Sequence, residues 1–145
     1  MIANERQYRI TKAEAERFEQ AIAQGDGALD NLDPRLRQAM REGLKSQLDE
    51  LREQVAEYEA LRSGKVAILE VEGLRDLPEA LIRARIASGF TQKQLAQRVG
   101  LKEQQIQRYE ATRYKGVSLE RIQEVTEALG VKIREQVTIP SAAQK

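Results

Sequence analysis

Apolar residues recur along this chain at helical spacing in most stretches and alternate in one. Ala15, Phe18 and Ile22 form a first stripe, and Thr11 with Glu14 ahead of it has the spacing of a capping box, which predicts a helix over about 12–23. Residues 24–33, QGDGALDNLD, carry two glycines and three aspartates and are expected to form a loop. Asp33-Pro34 then restarts a helix, with Asp as N-cap and Pro at the first helical position. Up to about Arg62 only Gly43 weakens it, by about 1 kcal/mol relative to Ala. Leu44, Leu48, Leu51, Val55, Tyr58 and Leu61 line one side at near-heptad spacing. At 1.5 Å per residue such a helix is a rod of about 40 Å. A rod cannot bury its own seam. It must lie against the 12–23 helix as a hairpin, against a second copy, or against another protein.

Ser63-Gly64-Lys65 ends the rod, and the branched residues of VAILEV, Val66 to Val71, predict a short strand. A second is predicted over residues 131–139, VKIREQVTI. There Val131, Ile133, Val137 and Ile139 alternate with Lys132, Arg134, Gln136 and Thr138, and Glu135 breaks the apolar side. Because unpaired edges are costly, the two strands are expected to pair within one chain or across a dimer. Residues 140–145 are expected to be a frayed tail.

Between the two strands the helical pattern returns in short units. Asp76 with Glu79 is a candidate cap for one helix, with Pro78 tolerated in its first turn. Thr91 with Gln94 caps the next, whose inward face is Leu95, Ala96 and Val99. Gly100 can take the positive φ that stops it, and Leu101 can plug the turn. The following helix turns Ile106 and Tyr109 inward and Lys102, Gln104, Gln105, Gln107 and Arg108 outward. Long amide and basic side chains of this kind suit base edges, since Gln pairs with adenine and Arg with guanine in the major groove.

The segment from Leu81 to Val131 resembles the lambda-repressor/Cro type of helix-turn-helix domain, the XRE family. The resemblance rests on Leu81, Arg85, Gly89, Thr91-Gln92, Leu95-Ala96, Gly100, Ile106, Glu110, Leu119 and Ala128-Leu129-Gly130, and covers a little over a third of the chain. The expected fold is mainly α: a lambda-repressor-like helix-turn-helix domain over 78–130, behind an N-terminal helical hairpin or coiled-coil-like rod over 1–64. A strand and linker over 65–77 and a C-terminal strand over 131–139 complete the expected plan, before the 140–145 tail.

The resemblance also distributes roles. Leu81, Ala84, Leu95, Ala96, Val99, Ile106, Tyr109, Leu119, Ile122, Val125 and Leu129 are expected in the core. Arg85 and Glu110 match positions that form a structural ion pair. Gln92 matches a phosphate-contacting position, and Arg113 and Lys115, in the loop after the reading helix, are further candidates for phosphate. Tyr114 between them could contact sugar or pack on the core. The candidates for base contacts are Lys102, Glu103, Gln104, Gln107 and Arg108; Gln105 is placed facing away. The family often caps this helix with Ser or Thr, where here Lys102 stands, which leaves open a looser helix start or a direct DNA contact by Lys102. Proteins of this family usually bind near-palindromic DNA as dimers, with reading helices about 34 Å apart.

Composition narrows the alternatives. The net charge of +1 is uninformative, but its distribution is not: Met1 to Gly73 holds eleven Lys/Arg against fifteen Asp/Glu, and Leu74 to Arg134 holds twelve against seven. The second half is therefore the one compatible with phosphate. There is no cysteine or histidine, which removes thiolate chemistry and the commonest general base and metal ligand. No catalytic residues, metal or cofactor are expected. No apolar run reaches the roughly 20 residues of a membrane span, and the charged start lacks a signal-peptide core, so a cytoplasmic location is expected. The expected function is sequence-specific binding of double-stranded DNA by a homodimeric transcriptional regulator, a repressor. The alternative is an antitoxin, whose N-terminal region would cover a small, basic toxin while the second half bound DNA.

Overall fold

The computed structural model describes residues 1–25, 27 and 31–142. Among the described residues six helices follow in order: α1 Glu5–Ala23, α2 Pro34–Arg62, α3 Leu77–Ala87, α4 Gln92–Val99, α5 Glu103–Ala111 and α6 Leu119–Leu129. Part of the loop expected over 24–33 and residues 143–145 of the expected tail lie outside the described residues.

α1 begins seven residues before the expected start. The Asn4 side chain accepts a hydrogen bond from the Gln7 amide at 2.9 Å and caps the helix, so Thr11 and Glu14 fall inside it. These extra two turns or so carry Tyr8, whose ring stacks on Tyr58 of α2 with centroids 5.1 Å apart. Arg62 lies over both rings, and its guanidinium donates to Glu5 at 2.8 Å. Farther along, Arg52 pairs with Glu19. These partners run in opposite directions along the two helices, so α1 and α2 form an antiparallel hairpin. Intrachain packing thus covers the α2 seam from Leu48 to Leu61, both buried. The part of α2 before Leu48 contains no buried residue and leaves Leu36 and Met40 exposed.

Helices α3 to α6 close around Leu81, Ile82, Leu95, Ile106 and Val125, each at most 2% exposed. Full burial of such a side chain stabilises the fold by about 1.5–3 kcal/mol. The hairpin does not stand apart from this unit. Tyr8, Tyr58 and Leu61 belong to the same continuous core as Leu77, Leu81 and Ile82. Arg83 of α3 donates to Glu57 of α2 at 2.6 Å across the joint.

The structure corrects three expectations here. Among the described residues there is no strand: 66–71 and 131–139 take no ladder hydrogen bonds. The first segment and residues 131–134 instead border one groove over α3, where Val66, Leu69 and Val131 lay their side chains on the core. Side-chain packing on a helix takes the place of backbone pairing, and Ile68, Val137 and Ile139 are left more than four-fifths exposed. Asp76 precedes α3 but its side chain does not cap it; that carboxylate accepts from the Glu72 amide at 3.3 Å. Leu119, placed in the core from the family pattern, is 73% exposed, because it is the first residue of α6 after the capping Ser118 and lies on the outer side.

Candidate nucleic-acid interface

α4 and α5 are short, and each is fixed at both ends by local chemistry. Thr91 and Gln94 form a reciprocal capping box at the start of α4, with the Gln94 amide donating to Thr91 Oγ1 at 3.1 Å and the Thr91 amide to Gln94 Oε1 at 2.9 Å. Gly100 ends α4 at φ +71°, and the Leu101 amide closes on the Ala96 carbonyl at 2.8 Å. This turn aims α5. Lys102 is its N-cap residue without capping through its side chain; the Lys102 amide is instead held by Gln105 Oε1 at 3.0 Å. Gln105 is therefore occupied at the helix start.

The inner side of α5 is bolted down. Ile106 is fully buried and Glu110 is 4% exposed. Arg85 of α3 grips the Glu110 carboxylate with two nitrogens, Nε to Oε2 and Nη2 to Oε1, both at 2.7 Å. The rest of its guanidinium donates to the carbonyls of Phe90, at 2.6 Å, and of Ala3. Gln92 Nε2 donates to Glu110 Oε1 at 3.2 Å, and Gln92 Oε1 accepts from Asn4 Nδ2 at 3.2 Å. Among the described residues no buried side-chain nitrogen or oxygen lacks a hydrogen-bond partner, as a buried polar cluster requires.

The outer side of α5 is different. Lys102, Gln104 and Arg108 are exposed, and their side chains have no hydrogen bond or ion pair among the described residues. Glu103 and Gln107, also exposed, face each other one turn apart with a long 3.4 Å contact. Of the phosphate candidates, Gln92 is 6% exposed and committed to the buried cluster. Arg113 is exposed but pairs with Glu79 of α3 at 2.9 Å, and Lys115 is exposed without a partner among the described residues. The base candidates therefore share one helix face, with Arg113 and Lys115 beyond its C-terminal end.

The loop after α5 is unusual. Arg113 and Tyr114 both take positive φ, +52° and +57°, a conformation that costs a residue with a Cβ roughly 1–2 kcal/mol. Tyr114 offsets it by burial: it is 4% exposed and lies against Tyr109 at 5.7 Å between ring centroids. It therefore packs on the core. Burial, with the nearby Glu110 carboxylate adding to it, pushes the Tyr114 hydroxyl far above the ordinary tyrosine range.

Sequence reading missed the part played by the chain's first residues. Ala3 and Asn4 complete the buried cluster, and Ile2 is 3% exposed. One signal pointed there: Asn4 stands three residues before Gln7, a capping spacing. Residues 81–136 match a family model described as helix-turn-helix. No curated protein and no solved structure matches the chain.

Proposed function

We propose, from the premise that this chain is through residues 81–136 a DNA-binding transcriptional regulator of the XRE helix-turn-helix family, that it is a repressor acting as a dimer on a near-palindromic operator. One observation carries the reading: among the described residues, Lys102 at the N-cap of α5 and Gln104 and Arg108 on it have no side-chain partners, while a buried hydrogen-bonded cluster fixes its other side. Polar groups held ready on a rigid element suit base edges in the major groove. In this reading Lys102, Glu103, Gln104, Gln107 and Arg108 meet bases, and Arg113 and Lys115 meet phosphates on the side of the loop. Gln92 reaches a phosphate only through the second hydrogen of Nε2, because its Oε1 is an acceptor held by Asn4; as placed, it braces α5 through Glu110.

The test is fluorescence anisotropy on duplex DNA from upstream of its own gene. Gln104→Ala with Arg108→Ala removes up to two base contacts of about 1–3 kcal/mol each, so a loss on the order of 100-fold is expected with an unchanged circular dichroism spectrum. Equal affinity for that duplex before and after the double substitution overturns the assignment.

Dimerisation is supported by the free end of the hairpin, where Ile22, Leu36 and Met40 stand exposed. The same surface supports a second reading, an antitoxin that holds a small protein toxin there. Leu36→Glu with Met40→Glu separates the two: loss of the dimer in a sedimentation run of the protein alone supports the first. An unchanged mass, together with lost co-purification of the adjacent gene's product, supports the second.

A further inference from the structure

The reading side of α5 does not end in open solvent. Its flank carrying Glu103 and Gln107 borders a cleft of about 1130 Å³ that the first part of α1 also lines. Gln107, Ala111 and Arg113 line one wall, and Arg6, Gln7 and Ile10 line the second. The second wall is fixed rather than apposed by chance. The α1 start is tied to the reading unit by Arg85 to the Ala3 carbonyl, by Asn4 to Gln92 at 3.2 Å, and by the buried Ile2.

The charges in this cleft are unevenly used. Arg62 is paired with Glu5 at 2.8 Å, Arg85 with Glu110 at 2.7 Å, and Arg113 with Glu79 at 2.9 Å. Glu103 accepts from Gln107, and Gln7 is taken by the Ala3 amide at 2.8 Å. Arg6 is exposed and, among the described residues, forms no hydrogen bond or ion pair. It is an uncommitted side-chain cation of the cleft, in the first turn of a helix whose N-cap, Asn4, bonds Gln92 of α4.

We propose that α1 is part of the DNA-binding surface, with Arg6 contacting a backbone phosphate that flanks the bases read by α5. The inference rests on the DNA-binding reading above. A duplex seated on α5 runs its sugar-phosphate backbone past the start of α4, where α1 is anchored, and the cleft between the two walls gives that strand its place. A guanidinium without an internal partner forfeits no ion pair on meeting a phosphate, which an already paired arginine does. The hairpin thereby widens the footprint without adding sequence information, since phosphate contacts set position and affinity rather than base choice.

The experiment measures affinity of the full chain as a function of salt on two 30-base-pair duplexes, one from upstream of its own gene and one of scrambled sequence. Each phosphate contact contributes about 0.9 to the slope of log affinity against log salt. Arg6→Ala is expected to lower the slope by about 0.9 per bound chain on both duplexes, and affinity by on the order of tenfold near 0.1 M salt. Arg6→Lys should keep most of the slope, and Lys45→Ala, on α2 outside the cleft, should match the unsubstituted protein. A slope for Arg6→Ala equal to that of Lys45→Ala overturns the inference while leaving the DNA-binding reading in place, as does tighter binding by Arg6→Ala. Failure of the unsubstituted protein to bind either duplex sinks both.

Discussion

Glu110→Gln tests the design of the buried cluster most directly. The substitution keeps the size and one carbonyl acceptor but removes the charge, and Arg85 remains 3% exposed with its positive charge uncompensated. It also sets an amide donor, Nε2, against a guanidinium that has only donors. Breaking one partner of a buried ion pair typically costs about 3–5 kcal/mol. The hydrogen bonds that remain, from Arg85 to the Phe90 and Ala3 carbonyls, stabilise the guanidinium and place the expectation near the lower figure. With a urea dependence of about 2 kcal/mol per molar, a loss of about 3–4 kcal/mol moves the unfolding midpoint down by roughly 1.5–2 M. The assay is urea unfolding followed by circular dichroism, with the slope required to stay constant. Arg85→Met with Glu110→Met should be destabilised by less than the sum of the single changes, with a coupling of at least about 1 kcal/mol. It does not return to the starting stability, because the carbonyls of Phe90 and Ala3 lose their donor. A midpoint shift under about 0.5 M for Glu110→Gln, or additive single changes, refutes the reasoning.

Three smaller effects accompany it. Thr91→Ala removes one half of the α4 capping box and should cost about 1 kcal/mol in the same unfolding assay, while Thr91→Ser should cost less. Gly100→Ala meets no atom within 4 Å but must adopt φ +71°, so it should destabilise by roughly 1–2 kcal/mol through backbone strain alone; no loss on urea unfolding would contradict this. Tyr114 has its folded pKa raised above the unfolded value, so its stabilising contribution is present below about pH 10 and is lost as pH rises beyond it. Stability should then fall by about 1.4 kcal/mol per pH unit for this group, and Tyr114→Phe should flatten the decline when unfolding is measured between pH 9 and 12.

What could be read from the chain beforehand followed the range of the interactions concerned. Thr91, Gln94 and Gly100 act within a turn of themselves, and the α4–α5 unit they bound was legible from their spacing. The long helix from Pro34 to Arg62 was legible for the same reason, since Asp33-Pro34 and the Leu-rich seam are local signals. The start of α1 was not, because Thr11 and Glu14 mimic a cap in sequence while Asn4 takes that place in three dimensions. The alternation in 131–139 was real but insufficient: a strand needs a neighbour at ladder distance, and here the neighbouring surface is a helix. Ala3 and Asn4 touch residues more than eighty positions away, a distance over which no periodicity carries information. The outer side of α5 was recoverable from composition, but the separation of its free side chains from the Glu103–Gln107 pair required coordinates.

The joint between α2 and α3 gives the hairpin a mechanical meaning. From Glu57, which meets Arg83 there, to Pro34 at the far tip, α2 extends over a moment arm of about 35 Å. A swing of 5° about that pivot sweeps the tip through roughly 3 Å at this helical rise. By the same lever, a load applied at Leu36 and Met40 would reach the α2–α3 joint as a small rotation with mechanical advantage.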